Sequence, residues 1–134
     1  MIDRNGRLKI SDFGISRICE KDEELVESSN GTPIFFAPEC CSKHDYNPKP
    51  ADVWALGVTL YVLFYGRLPF YSPSPFCLCL KIQTERLHFP PNENPLLVDF
   101  FLELMKKDPN QRITIKQCKE HPWITRNGTE PIEK

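Results

Sequence analysis

With 134 residues, 40% of them hydrophobic and 26% charged, the chain is long enough for one globular unit with a hydrophobic core, a domain or part of one. A formal net charge of -1, with no block of basic residues, excludes long-range attraction to nucleic acid or to an anionic membrane surface. Met1-Ile2-Asp3-Arg4-Asn5-Gly6 has no apolar core of a secretory signal, so a cytoplasmic, intracellular protein is expected.

In chain order, Asn5-Gly6 signals a turn, and Leu8 and Ile10 alternate with Lys9, which predicts the second strand of a short hairpin over 7–11. Only Met1 and Ile2 remain for its first strand, so a completing partner is expected upstream. From Glu20 to Asn30 apolar content is low and Glu20, Asp22, Glu23, Glu24 and Glu27 cluster, predicting an exposed mobile loop. Pro33 and Pro38 are expected to hold the backbone extended.

Asp52 to Tyr65 is apolar on nearly every face, with Asp52 as N-cap, Gly66 as C-cap and Pro69 preventing continuation. A helix apolar all round is a buried central helix or a membrane span, and this one is well short of the roughly 20 residues a bilayer requires. A central helix follows. Beyond the proline-punctuated loop from Ser72 to Pro75, a helix is predicted over 76–86, broken by Leu87-His88-Phe89-Pro90-Pro91. Pro95 suits a first helical turn, and Leu96, Leu97, Phe100, Phe101, Leu104 and Met105 recur at helical spacing up to Lys106-Lys107, cations that favour a helix C-terminus. A last short helix is predicted over 113–120, stopped by His121-Pro122-Trp123, with a polar tail over 125–134.

Cys19, Cys40, Cys41, Cys77, Cys79 and Cys118 are even in number, but an intracellular setting keeps thiols reduced. The C-x-C pair Cys77/Cys79, Cys40-Cys41 and the three histidines lack the spacing of a structural zinc site. Reduced, mostly buried thiols are expected. Asn127-Gly128-Thr129 has the form of a glycosylation sequon and, without an export signal, reads as a turn.

Asp12-Phe13-Gly14 opens a stretch that closes with Gly31-Thr32-Pro33 and Ala37-Pro38-Glu39, with a hydroxyl-bearing loop between. Asp52-x-Trp54-x-x-Gly57, Asp108-Pro109-x-x-Arg112 and His121-Pro122-Trp123 follow. Each motif is common alone, but in this joint order and spacing the chain from Leu8 to Ile124 resembles the lower half of a eukaryotic protein kinase C-terminal lobe. The resemblance implies a mainly α fold, a partial kinase-like C-terminal lobe over 1–124 with a short β remnant at its N-terminus. It implies a parent protein that transfers the ATP γ-phosphate to serine or threonine of protein substrates, with other kinases as candidate substrates and with ATP and Mg²⁺ as cofactors.

Residue by residue, Asp12 matches the family's Mg²⁺-binding aspartate, against the reading of an ordinary turn aspartate. Phe13 and Gly14 match the packing and hinge positions beside the nucleotide. Ser28 and Ser29 lie where the family often carries an activating phosphate, with Arg17 as the cation that pairs with it, against a plain polar loop. The acidic run opposes such a phosphate or partly replaces it. Thr32 occupies the position that hydrogen-bonds the catalytic base and favours serine/threonine specificity, and Pro33, Ile34 and Phe35 the shelf under the substrate, against a purely structural turn. Glu39 and Arg112 match a buried ion pair whose breakage costs about 3–5 kcal/mol. Asp52 matches the residue that reaches the catalytic-loop backbone, a role compatible with capping.

Ser11 to Arg17, Asp52 to Tyr61 and Leu87-His88-Phe89-Pro90 most resemble calcium/calmodulin-dependent protein kinase kinases. Calmodulin is then a possible partner of the parent protein, although no basic amphipathic segment follows Trp123. The glycine-rich loop, the strand lysine, its glutamate partner and the His-Arg-Asp to Asn loop are absent from these residues. The expectation is therefore a fragment lacking its N-terminal lobe and inactive by itself. The alternative is a non-catalytic binding module that presents the substrate-docking helices.

Overall fold

Prolines decide where the helices begin. The computed structural model describes residues 1–19, 21, 24–27, 31–42, 44–127 and 129. Among these, α1 (Pro48–Tyr65), α2 (Pro75–Thr84), α3 (Pro95–Leu104) and α5 (Pro122–Thr125) each start on proline, and only α4 (Ile115–Glu120) does not. The first helical position needs no N–H partner and suits proline's fixed φ, so the preceding residue is left to cap. Asn47 accepts from Lys49 N at 3.0 Å, Asn94 from Leu96 N at 2.9 Å, and the His121 ring from Trp123 N at 3.2 Å. Thr114 and Gln117 form a reciprocal capping box on α4.

These starts revise several expectations. Asp52 is not the cap of α1: the helix begins one turn earlier, with Pro48 and Pro50 both in its first turn, where missing N–H groups cost nothing. Pro33 and Pro38 do not extend the chain but open two 3-10 turns, Pro33–Phe35 and Pro38–Cys41. It is the residues before them, Thr32 (ψ 121°) and Ala37 (ψ 161°), that are extended, as the proline ring requires of its predecessor. His121-Pro122-Trp123 ends α4 and starts α5. α3 stops at Leu104, so Lys106 and Lys107 lie beyond it.

The fold is mainly helical, and the expected hairpin at its N-terminus is reduced to a minimal remnant. Ile2 and Leu8 make one isolated antiparallel bridge around the Gly6 turn (φ 77°), and Leu8 and Ile10 are 82% and 87% exposed. An isolated two-stranded ribbon with no face to bury is marginal. Conversely, the acidic stretch is not wholly exposed. Val26 is buried and pairs with Tyr46 through N–H···O bonds of 2.9 and 3.2 Å in both directions. Of the cysteines only Cys118 is buried, Cys77 is exposed and the other four lie between.

The core lies between α1 and α3, with α2 across the two 3-10 turns and α5 against α3. Trp54, Val58 and Tyr61 on α1 meet Phe101 and Leu104 on α3 and Phe70 between helices, all buried. Each such side chain contributes about 1.5–3 kcal/mol by leaving water. Tyr61 donates its hydroxyl to His88 O and packs edge-on to Phe101 at 5.6 Å between centroids. Gly57 sets the α1–α3 spacing: a Cβ there would lie 2.8 Å from Met105 Cγ and 3.1 Å from Leu104 Cβ. The apolar character of α1 does not mean burial on every side, since Leu63 is 74% exposed. No helix among the described residues is long and apolar enough to cross a membrane.

Arg112 closes this lower body. Its Nη1 and Nη2 meet Glu39 Oε1 and Oε2 at 2.6 and 2.8 Å. The remaining N–H groups reach Pro50 O at 2.7 Å, Lys106 O at 2.9 Å and Lys107 O at 3.4 Å, so all five guanidinium donors are used. Replacing Gly57 by Ala should destabilise the fold by roughly 1–2 kcal/mol, overpacking outweighing the gain in helix propensity; a urea midpoint at or above that of the wild type refutes the close-approach argument. Arg112→Met and Glu39→Gln should each cost about 3–5 kcal/mol by stranding the other member. The double variant should lose clearly less than the sum, and additive losses in the same melts contradict the pairing.

Two adjoining clefts that share Asp52

The front of the molecule is organised by a turn. Asp12 adopts a left-handed conformation (φ 66°), which aspartate tolerates better than most residues. The chain then folds back as Phe13 O accepts both Ser16 N at 3.1 Å and Ser16 Oγ at 2.7 Å. This leaves the Phe13 ring 66% exposed. The unusual backbone of Asp12-Phe13-Gly14 thus falls on Asp12 and not on Gly14, where an added Cβ would meet only Asp12 Oδ1 at 3.5 Å, an ordinary contact.

Asp12 and Phe13 line an open cleft of about 630 Å³ together with Arg17, Val26, Tyr46 and Asp52. Arg17 is exposed and has no ion pair among the described residues. Ser28 and Ser29, the expected modification sites, lie outside the described residues. A smaller cleft of about 130 Å³ adjoins it, lined by Gly31, Thr32, Phe35, Tyr46 and Asp52. Gly31 enters it at φ 146°, a conformation that side chains disfavour. The Thr32 side chain is exposed and does not cap the turn it precedes, so its hydroxyl is available to a partner. Pro33 and Phe35 are exposed and Ile34 half-buried, an outward-facing shelf whose far end is pinned where Glu39 meets Arg112.

Asp52 stands on the second turn of α1 and faces both clefts. One side of the residue is open to water, yet surrounding protein pushes its carboxyl above the ordinary aspartate range, because burial penalises the charged form. Tyr46 also lines both clefts. Sequence reasoning missed it, because no motif marks it beyond its place just before the Asn47-Pro48 helix start. The structure therefore gathers Asp12, Arg17, Thr32 and Asp52 around one junction and leaves Arg112 and Glu39 behind it as support.

A single exposed carboxylate such as Asp12 suits Mg²⁺, which keeps several waters and takes its remaining oxygens from phosphates. Among the described residues no cluster of three or more His, Cys, Asp or Glu forms an all-protein metal cage. Asp12 supplies one exposed carboxylate oxygen donor of the kind such a cation takes.

Residues 1–124 match the protein kinase domain. The chain is 43% identical over 125 residues to serine/threonine-protein kinase GRIK1 of Arabidopsis thaliana, covering 93% of this chain and 32% of that protein. It is 37% identical over 132 residues to the calcium/calmodulin-dependent protein kinase kinase of Caenorhabditis elegans (95% and 24%). It is 38% identical over 134 residues to CBL-interacting serine/threonine-protein kinase 5 of Arabidopsis thaliana (98% and 30%). The chain thus spans about a quarter to a third of the length of these relatives.

The Asp52 environment has a measurable sign. A carboxyl whose folded pKa lies above its unfolded value binds more protons when folded, so its ionisation lowers stability as pH rises through that range. Asp52→Asn should therefore melt at a higher temperature than the wild type at pH 7. The difference should vanish as pH falls below the ordinary aspartate range. A variant that melts lower at neutral pH shows instead that Asp52 has a stabilising partner.

Proposed function

The chain belongs to the protein kinase family, and we propose that the protein containing it transfers the γ-phosphate of ATP to serine or threonine hydroxyls of protein substrates. The observation that carries this reading is the junction at Asp52, where the cleft containing Asp12 adjoins the cleft containing Thr32. Phosphoryl transfer needs charge neutralisation on one side and an aligned hydroxyl on the other. Asp12 serves the first need by holding Mg²⁺, which when bound offsets the charge spread over the transferring group.

The other residues orient. Thr32 presents an unengaged hydroxyl to the catalytic base, and Pro33, Ile34 and Phe35 form the shelf beneath the substrate chain. Asp52, held partly out of water, accepts N–H groups of the loop that carries that base; such bonds recover the penalty its charge suffers here. Glu39 and Arg112 keep the shelf at fixed height above α1. Arg17 is the cation for a phosphate on Ser28 or Ser29, and Phe13 and Gly14 set the position of the Asp12 turn.

These 134 residues transfer no phosphate by themselves, because the glycine-rich loop, the lysine–glutamate pair and the His-Arg-Asp to Asn loop are not among them. Exposed Ile2, Leu8, Ile10, Phe13, Ile15 and Ile18 form the seat that those missing parts cover. We assign the protein to the cytoplasm. The nematode relative's name refers to calcium/calmodulin-dependent protein kinase; calmodulin is proposed as a partner of the parent protein only, since the sequence after Trp123 has no basic amphipathic segment.

A Mg²⁺-dependent transfer assay on the complete protein, with serine-, threonine- and tyrosine-containing peptides, tests the proposal. Phosphate should appear on serine or threonine, and Asp12→Asn should lower turnover by at least about 100-fold, as removal of a charge-stabilising group does. Undiminished turnover in that variant, or phosphate on tyrosine alone, overturns the assignment. Turnover by the 134-residue polypeptide alone contradicts its predicted inactivity.

A further inference from the structure

Val26 and Tyr46 pair through their backbones at a point to which no role has yet been given. Val26 N donates to Tyr46 O at 2.9 Å, and Tyr46 N donates to Val26 O at 3.2 Å. This is an isolated antiparallel bridge, as is that of Ile2 with Leu8, but the two differ in burial. Ile2 and Leu8 are 70% and 82% exposed, whereas Val26 is 7% exposed. Hydrogen bonds shielded from water are the stronger ones, so the pairing at Val26 holds where the other is marginal.

Its place in the chain gives it a task. Residues 1–27 carry Asp12, while the chain from Gly31 onward carries Thr32, the shelf and α1 to α5. Among the described residues, these two bonds are the only backbone hydrogen bonds that join the first part to the second. The anchor on the second part is firm. Tyr46 directly precedes Asn47, whose side chain caps α1 by accepting from Lys49 N at 3.0 Å. Val26 and Tyr46 both line the cleft that contains Asp12, and Tyr46 also lines the cleft that contains Thr32. Neither is part of the apolar cluster between α1 and α3, so packing of the core does not account for the pair.

Resting on the phosphoryl-transfer reading above, we propose that the Val26–Tyr46 pair is a positioning element: it registers the Asp12 segment against the shelf, so that the phosphate donor lies in line with the substrate hydroxyl. In transfer, the substrate oxygen forms a bond to the γ-phosphorus and the bond from that phosphorus to the ADP oxygen breaks. The hydroxyl proton passes to the base. Water attacking the same phosphorus gives ADP and inorganic phosphate, and water needs no shelf to reach it. The pair therefore favours transfer over hydrolysis. With it intact, donor and hydroxyl are held in register, the condition for a fast in-line step. With it broken, the Asp12 segment loses its backbone tie to the helical body, and water takes a larger share of the phosphate.

The test gives the complete protein ATP, Mg²⁺ and serine- and threonine-containing peptides, and measures phosphopeptide and free inorganic phosphate in the same reaction. Val26→Pro removes the N–H that Tyr46 O accepts, and Val26→Asp puts a charge at the buried position that shields the pair. Each should lower the ratio of phosphopeptide to free phosphate by at least about 10-fold, since misplacement by about 1 Å can cost about 100-fold. Val26→Ile keeps the N–H and a branched apolar side chain, and should hold the wild-type ratio. A merely structural defect removes active enzyme and lowers both products in proportion, so an unchanged ratio in Val26→Pro and Val26→Asp overturns the proposal, whatever the total activity. A wild type that phosphorylates no serine or threonine peptide is a different result, which overturns the phosphoryl-transfer reading and this inference with it.

Discussion

The guanidinium of Arg112 is the point on which the lower body depends. It joins segments far apart in sequence: Glu39 at the end of the shelf, the Pro50 carbonyl in the first turn of α1, and the Lys106 and Lys107 carbonyls after α3. Its face lies 5.2 Å from the Trp54 ring. Removing such a charge from water costs several kcal/mol, and the attraction of one carboxylate does not assure a net gain. Here every N–H has an acceptor, which is the condition under which a buried charge is tolerated. Its structural consequence is directional. A displaced shelf would break two parallel bonds at once, so the Thr32 to Glu39 segment has one favoured height above α1.

Lys107 shares the same indole and shows the local cost. Its Nζ sits 5.1 Å from the Trp54 centroid and 4.2 Å from that of Phe70 and donates to Ile82 O. Loss of water lowers it to about 8, with the neighbouring Arg112 charge adding to the fall and Glu85 and Cys41 opposing it. Two cations on one ring system repel, yet each is held by carbonyls of a different segment. The Trp54 environment therefore couples α2, through Ile82, to the shelf, through Arg112.

The parts legible in the sequence were those fixed by local chemistry or by fixed spacing. The body of α1, its Gly66 terminus in the left-handed conformation and the apolar stripe of α3 follow from residue type and order, and the partnership of Glu39 with Arg112 from the resemblance to the kinase family. Helix starts were less legible, because proline before a helix and proline within its first turn look alike as breaks. Asp52 was a plausible cap until Asn47, Pro48 and Pro50 were seen to begin the helix a turn earlier. Lys106 and Lys107 suited a helix C-terminus, but their carbonyls are taken by Arg112, a long-range claim that periodicity does not register. The alternation at Leu8 and Ile10 promised a strand and had no surface to bury. Tyr46 escaped notice because its role at the junction depends on the pairing of Val26 with it across the acidic stretch.

The two halves of the candidate site rest on supports of different strength. Thr32 and the shelf stand on the packed body, fixed by Arg112 and by the contact of both 3-10 turns with α2. Asp12 stands on a segment whose apolar side chains are nearly all exposed and whose only regular pairing among the described residues is the bridge between Ile2 and Leu8. Elements with few buried contacts open at low free energy, while core elements open only near the global unfolding free energy. Asp12 also carries the less favoured left-handed backbone, which persists only where surroundings determine it. The Asp12 half of the candidate site therefore has little among the described residues to fix it, while the Thr32 half is fixed by the packing of this chain itself. Asp52, anchored on α1, lines both clefts and so stands where the two supports meet.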